Sequence, residues 1–250
     1  MEKLNSQQGF TLMEMVIALV ILGIISLAVG SYLQLGAQGY LGVVNRDRTQ
    51  LIARFALEKM TREIRHAAPN SVSVDSSGRC LSFYPVKLAG FYLHQPVGAA
   101  IDFSSTLGSD SDWKAITTNY WLAVGFSSSE QYDTKTNAIT VVVDGPDAGV
   151  LTAQLSADLA SSSPASRLYA YSEKVQYCFD STLGSLHRLT NNASVSNNNL
   201  IAQQVSEVYF NTEGLGMNSN GMVHIRLTLQ REQSTETATY EHSVQVINVL

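Results

Sequence analysis

The sequence contains little cysteine and little charge. Of its 250 residues two are cysteines, and 15% are Asp, Glu, Lys or Arg. Neither C-x-x-C nor H-x-x-x-H occurs, so Cys80 and Cys178 lack the spacing typical of a zinc site. In a reducing compartment they would be buried thiols, whereas in an oxidising one they could pair.

Positive charge is scarce downstream of the N-terminal region. Residues 67–250 contain nine Lys and Arg against sixteen Asp and Glu, a balance of −7, while residues 10–66 have a balance of +2. Nucleic-acid-binding domains carry a basic patch or stripe, and this acidic region has none. Nucleic acid is therefore excluded as a partner.

Sequence signatures of catalysis are missing as well. G-x-S-x-G, H-E-x-x-H, G-x-x-x-x-G-K-[ST] and G-x-G-x-x-G do not occur. The pairs Asp110/Asp112 and Asp144/Asp147 fall short of the six to eight oxygens that Ca²⁺ takes, and are interpreted as turns. The histidines are scattered and are interpreted as surface or packing residues, at positions 66, 94, 187, 224 and 242. We predict no catalytic residue, no cofactor and no metal, and hence a protein that is not an enzyme.

One long apolar run is present near the start of the chain. Residues 10–29 are apolar or small except Thr11, Glu14 and Ser26. As a helix the run would span roughly 30 Å, the thickness of the hydrocarbon core of a bilayer. It could be a cleaved secretory signal, a permanent anchor, or a segment that uses Glu14. A leader without net charge and a poor cleavage site at residues 27–30 disfavour the secretory signal.

Glu14 is a costly residue in such a run. Insertion scales put an ionisable side chain inside a membrane at about 2.5–3.5 kcal/mol, and such residues usually have a function. The alternative is that Glu14 lies one turn from the membrane interface and reaches out to water. The string G-F-T-L-M-E at residues 9–14, followed by an apolar helix, resembles the class III signal of type IV pilins and type II secretion pseudopilins.

This resemblance implies roles for three residues. A prepilin peptidase would cleave between Gly9 and Phe10 and methylate the new N-terminal amine of Phe10. The Glu14 carboxylate of one subunit would meet the Phe10 amine of a neighbour, because two charges in low dielectric are costly apart and tolerable together. Glu14 would then set the register of the helix in a growing filament.

The resemblance also implies a location and a set of partners. The protein would cross the inner membrane once, with a periplasmic C-terminal domain and the pilus tip or cell surface as a further location. Its partners would be the prepilin peptidase, other minor and major pilins, the inner-membrane assembly platform and membrane lipid. The leader departs from the family pattern, because Glu2 offsets Lys3 and encodes orientation weakly. For a head outside the cytoplasm we expect a Cys80–Cys178 disulfide, worth about 4–5 kcal/mol in the chain-entropy model.

Helical periodicity continues beyond the apolar run, and Pro69 stops it. One face is apolar: Ala53, Ala56, Leu57, Met60, Ile64 and Ala67. Glycines at positions 30, 36, 39 and 42 indicate either a bendable section or close helix packing, since each costs about 0.8–1 kcal/mol of helix. The predicted organisation is a leader (1–9), a transmembrane and assembly helix (10–30), its amphipathic continuation (31–68) and a periplasmic β-rich head (69–250).

From residue 71 onwards the pattern changes to alternation and short β-branched runs. Strands are predicted at 71–74, 81–84, 120–126, 139–143, 175–179, 205–210, 223–229 and 243–249. Long polar loops are predicted at 104–112, 161–166 and 191–199. The predicted fold class is α+β: a pilin-like fold in which a long N-terminal helix packs on an antiparallel β-sheet head.

A second resemblance concerns the branch of the family. Residues 55–72, FALEKMTREIRHAAPNSV, and residues 80–85, CLSFYP, are similar to the MshO group of minor pilins of the mannose-sensitive haemagglutinin (MSHA) pilus. Major pilins usually pair cysteines near the C-terminus, whereas this pair begins just after the helix. The resemblance implies a non-catalytic minor pilin that helps initiate and template pilus assembly. The alternatives are a pilus-tip adhesin that uses residues 161–171, a minor pseudopilin of type II secretion, and a membrane-anchored periplasmic enzyme.

Overall fold

The computed structural model describes most of the chain, namely residues 9–94, 98–116, 119–191, 193–213, 221–232 and 234–246. Residues 1–8 of the predicted leader lie outside this set. The chain divides into two compact units, Met1–Arg48 and Thr49–Leu250.

The longest element is helix α1, Leu12–Arg65, which is continuous over 54 residues. Its C-terminal part is amphipathic as predicted, since Thr49, Ala53, Ala56, Met60 and Ile64 are its buried residues. The helix ends three residues before the predicted boundary. The chain then turns at Asn70, whose φ of 58° lies in the left-handed region that asparagine tolerates.

The remainder of the described chain is mainly β-structure. The strands in chain order are β1 Ser73–Val74, β2 Cys80–Phe83, β3 Val86–Tyr92, β4 Ala100–Leu107, β5 Trp121–Ala123, β6 Ile139–Asp144, β7 Leu151–Leu155, β8 Arg167–Tyr171, β9 Val175–Asp180, β10 Ser185–Thr190, β11 Leu200–Ala202, β12 Val205–Glu213, β13 Gly221–Gln230 and β14 Thr237–Val246. Two short helices, α2 Asp110–Lys114 and α3 Ser129–Asp133, and one 3₁₀ turn, Asn197–Asn199, interrupt them.

These strands form three sheets, and every pairing between them is antiparallel. A five-stranded sheet has the order β1-β2-β9-β10-β11, and a three-stranded sheet the order β12-β13-β14. A six-stranded sheet has the order β5-β8-β3-β4-β7-β6. The α+β class and the antiparallel pairing are thus confirmed, with three sheets where the sequence suggested one.

The C-terminal part of α1 shares a hydrophobic core with two of the sheets. Its buried alanines, Met60 and Ile64 pack with inward residues of the five-stranded and three-stranded sheets, among them Leu81, Phe83, Tyr177, Phe210, Val223, Ile225 and Leu227. An ion pair adds to this packing, since Arg188 of β10 donates to both carboxylate oxygens of Glu63, at 3.1 and 2.8 Å. The helix is thereby fixed to the sheets by apolar contact and by charge.

The six-stranded sheet is an insertion in this arrangement. The chain leaves the five-stranded sheet after β2 and returns to it at β9, and all six strands of the second sheet lie between these points. The insertion has its own core, in which Phe103 and Trp113 are fully buried with ring centroids 4.5 Å apart. Residues 84–174 therefore form an inserted subdomain.

A cluster of aromatic rings in the inserted subdomain packs against Ala68, in the segment that follows α1. Tyr84 stacks on Tyr132 and meets the edge of Tyr171, each at 5.4 Å between centroids. The Tyr132 hydroxyl donates to the carbonyl of Pro69 at 2.6 Å, so the segment that ends α1 is held by the insertion. The Tyr84 hydroxyl donates to Asp133.

All eight predicted strands are present, although their bounds shift. The last one was predicted to residue 249, and residues 247–249 lie outside the described part of the chain. The predicted loop 104–112 is wrong, because β4 continues to Leu107 and α2 begins at Asp110. The segment 161–171 is a loop only to residue 166, since β8 begins at Arg167.

Candidate assembly site at the start of the helix

The first described residues form a short non-helical segment that leads into α1. Gly9, Phe10 and Thr11 precede the helix, and Leu12 is its first residue. The Thr11 Oγ1 accepts a hydrogen bond from the backbone N–H of Glu14 at 3.3 Å. Thr11 therefore caps the helix by satisfying one of its free N–H groups. Sequence reasoning missed this role, although Thr-x-x-Glu is the spacing of a capping box.

Glu14 lies in the first turn of α1, and its side chain is exposed. A carboxylate is favourable there, because the N-terminus of a helix carries partial positive charge. Among the residues that the structure describes, no cation lies within ion-pairing distance of Glu14. Its carboxylate is therefore available to a group from another molecule.

The side of α1 around Glu14 is apolar and is not covered by the chain itself. Phe10 is 77% exposed and Leu12 82%, and large apolar side chains remain exposed on all sides of the helix as far as Leu35. By length and composition the helix could cross a membrane, and its most apolar stretch has none of its residues buried. Isolated soluble domains rarely leave so much apolar surface in water. Lipid or other helices must therefore cover it.

Gly9 is not required by the fold. A Cβ built at Gly9 would meet no atom within 4 Å among the described residues, and the same holds for Gly23 in the middle of the apolar run. Alanine at either position would therefore leave the structure of the chain intact. Any strict need for glycine at position 9 would come from another molecule that handles this segment.

The two cysteines are brought together as expected. Cys80 in β2 and Cys178 in β9 lie directly opposite each other in the five-stranded sheet, with Cα atoms 4.2 Å apart, and form a disulfide. The bond joins the strands through which the chain enters and leaves the inserted subdomain. The predicted disulfide is thus confirmed.

The acidic pairs take part in local hydrogen bonds and ion pairs. Asp112 accepts hydrogen bonds from the backbone N–H and the hydroxyl of Ser109, and these bonds lower the pKa of its carboxyl. Asp144 pairs with Lys114 at 2.6 Å. Asp110 belongs to the first turn of α2, and Asp147 is exposed. No group of three metal-ligating side chains occurs among the described residues.

The histidines lie in different parts of the fold. His187 is 2% exposed and its Nε2 lies 2.7 Å from the hydroxyl of Ser185. His224 in β13 has its Nδ1 2.8 Å from the hydroxyl of Ser243 in β14, on the outer side of the three-stranded sheet. His66 and His242 line a groove beside α1. His94 is exposed, two residues after the end of β3.

Comparison with known proteins gives one result, for the N-terminal segment. Residues 4–30 match the family described as the prokaryotic N-terminal methylation motif. No curated protein and no solved structure matches the chain. The matched segment includes Gly9, Phe10 and Glu14, and it supports a type IV pilin-like or pseudopilin-like protein. Such a signal implies processing by a prepilin peptidase and association with other pilins, and together with the apolar helix it fits a membrane-anchored protein.

Proposed function

We propose that the chain is a non-catalytic minor pilin that helps initiate and template the assembly of a type IV pilus of the MSHA type, as in the MshO group. The observation that carries the proposal is the start of α1. There a single carboxylate, Glu14, stands on an apolar helix that the chain leaves uncovered, within a prepilin-type methylation motif. The apolar surface of α1 needs lipid or other helices to cover it, and the Glu14 carboxylate needs a cation from another molecule to pair with it.

In this proposal, cleavage between Gly9 and Phe10 creates a methylated amine on Phe10, two residues before the helix begins. Thr11 caps the helix, so the Glu14 carboxylate is not needed to start it. The carboxylate of one subunit can therefore pair with the Phe10 amine of a neighbour in the apolar interior of a helix bundle. An unpaired charge is costly in that apolar interior. Any other register between the two helices would leave both charges unpaired and is therefore disfavoured.

The proposed domain organisation follows from the same elements. Residues 10–30 anchor the protein in the inner membrane, residues 31–68 continue the helix, and residues 69–250 form a periplasmic head. The Cys80–Cys178 disulfide supports this orientation, because disulfides persist in oxidising compartments such as the periplasm. The assembly platform and other minor and major pilins are the proposed partners.

A pilus-tip adhesin is the second candidate, and the inserted subdomain favours it. The insertion adds a separate sheet and core to a head that already packs α1 on two sheets. An adhesin could present such an addition to a surface. A minor pseudopilin of type II secretion would share the N-terminal signal and the helix. A deletion strain separates this alternative from a minor pilin, because loss of a minor pilin impairs pilus assembly and loss of a pseudopilin impairs protein secretion.

The first test is the intact mass of the protein extracted from membranes of its own host. We expect the mass of a chain that begins at Phe10 and carries one methyl group. Gly9→Ala should abolish cleavage, because the peptidase requires glycine while the fold does not. Gly23→Ala is the matched control and should be cleaved as in the wild type. A wild-type chain of full length, or one cut near residue 28, would contradict the proposal.

A further inference from the structure

The outer edge of β14 differs from the other sheet edges of the head. β14 spans ten residues, pairs with β13 along its whole length without a register shift, and is the last strand of its sheet. No described residue pairs with its other side. Its sequence, TATYEHSVQV, contains neither Lys nor Pro, and its one acid, Glu241, is paired with Arg226 of β13 at 2.7 Å. Natural edge strands are usually blunted by such residues, by bulges or by shortness, because a free edge recruits other strands.

The other described edges carry these protections. β1 has two residues, and β5 and β11 have three each. β6 has a register irregularity, and its last residue, Asp144, is tied to Lys114. The outer edge of β12 is occupied, since the N–H of Phe210 donates to the carbonyl of Gly78 at 2.7 Å and that of Val205 to Gly184 at 2.9 Å. Among the described sheet edges, the edge of β14 is therefore the one that lacks these protections.

A groove of about 580 Å³ adjoins this edge. It lies between one side of α1 and His242, which stands in the middle of β14. Leu57 and the hydrocarbon stems of arginines supply apolar surface.

The charge of the groove indicates what would bind. Arg54, Arg62 and Arg65 line it against one acid, Glu58, and none of the three arginines forms an ion pair with a described residue. A second copy of the chain, paired β14 to β14, would bring two such arginine clusters towards each other. That arrangement costs free energy through like-charge repulsion. An acidic segment gains from the same charges.

We infer that the edge of β14 and the adjoining groove bind an extended, acidic segment of another protein subunit, which adds as a fourth strand to the three-stranded sheet. Backbone hydrogen bonds to β14 would hold the strand, and carboxylates would pair with Arg54, Arg62 and Arg65. The inference concerns β14 and the C-terminal part of α1 and does not involve Glu14, so it stands if the assembly proposal fails.

The test uses the full-length protein in detergent and two fluorescein-labelled ten-residue peptides. Both alternate Thr or Val with a charged residue, Glu in one and Lys in the other, and binding is measured by fluorescence anisotropy. We expect the Glu peptide to bind and the Lys peptide not to bind. Arg62→Glu combined with Arg65→Glu should weaken binding at least about tenfold. Lys59→Glu, a reversal on the same helix outside this groove, is the control and should leave binding unchanged.

Hydrogen exchange of β14 supplies the second readout. The amides that point away from β13 should exchange rapidly in the free protein and become protected when the Glu peptide binds. Three results would overturn the inference. These are equal binding of both peptides, no binding up to about 1 mM, which is the weak end of measured affinities, and outward amides that are already protected in the free protein. Circular dichroism confirms that each variant is folded.

Discussion

Thr11 and Glu14 have separate roles at the start of α1. Thr11 caps the first turn through its hydroxyl, and Glu14 contributes its backbone N–H to that bond while its side chain stays exposed. Changes at the Glu14 side chain should therefore affect contacts between subunits more than the helix itself.

We predict that Glu14→Leu is cleaved and methylated normally but enters sheared pili at least about tenfold less than the wild type. The reason is that a neighbour's Phe10 amine would lose its counter-charge in an apolar environment. Immunoblots of the sheared and membrane fractions measure the ratio. Ser26→Leu, which adds similar apolar volume on the same helix, is the control. Wild-type incorporation of Glu14→Leu would contradict the proposed register role.

Asp133 is a residue-scale contact within the inserted subdomain, since it binds Tyr84 and Lys174, the first and last residues of the insertion. Partial burial raises the pKa of its carboxyl, but hydrogen bonds from Lys174, at 2.8 Å, and from Tyr84 outweigh burial and bring the pKa below the ordinary 3.8. A lowered folded-state pKa means that the contribution to stability is fully present above pH 3.8 and is lost as the pH falls below it.

We therefore predict that the wild type loses more stability between pH 6 and pH 3 than Asp133→Asn does. Urea unfolding of the full-length protein in detergent at the two pH values measures the difference. Asp147→Asn, an acid in an exposed turn, is the control and should behave as the wild type. An Asp133→Asn variant with unchanged pH dependence would contradict the assignment.

Sequence reasoning at the residue scale succeeded where the signal is local. The cysteine pair could be proposed because the chain has only two cysteines, and the buried face of α1 follows from its periodicity. The Glu63–Arg188 ion pair could not be predicted, since 125 positions separate its partners. Glu14, Gly9 and Phe10 are brought into one short segment by the sequence itself, and their roles stay predictions.

At the scale of elements, the strands that were missed have residues which hide the β pattern. β3 contains Gly90, where a Cβ would lie 2.7 Å from the Ser104 carbonyl oxygen of β4, so close approach of the strands requires glycine. β10 buries Ser185 and His187, which hydrogen-bond each other, and so departs from apolar alternation. β4 has a Ser-Ser-Thr run just before its last residue, and this run is typical of a loop. These three segments form strands because of their contacts with other parts of the fold, which their local sequence does not reveal.

The disulfide between β2 and β9 is also an element-scale feature, because it closes a loop over the whole inserted subdomain. Its sequence separation is 98 residues, which corresponds to about 4–5 kcal/mol in the chain-entropy model. We predict that Cys80→Ala combined with Cys178→Ala lowers the free energy of unfolding by up to that amount. Urea unfolding measures it, and reduction of the wild type should give the same loss. No change in either case would show that the insertion is fixed by its other contacts alone.

At the scale of the whole molecule, the fold class could be predicted and the division of the head could not. The long helix and the strands of the two sheets that pack on it were mostly read from the sequence. The inserted subdomain was read in part, through β5 and β6, because nothing in the composition marks residue 84 or residue 174 as a boundary. Only the adjacency of β2 and β9 in space reveals it.

The position of the Cys80–Cys178 bond determines the path of a mechanical load. A pull applied between α1 and the C-terminal strands passes across the bond from β2 to β9, so the inserted subdomain carries no tension even when the strands around it open. Reduction of the bond would place the insertion in series with the load and release roughly 320–350 Å of extra chain, at about 3.3–3.6 Å per extended residue. Single-molecule pulling with and without reductant would show this added length. In the oxidised protein, the insertion would remain folded while the rest of the head is stretched.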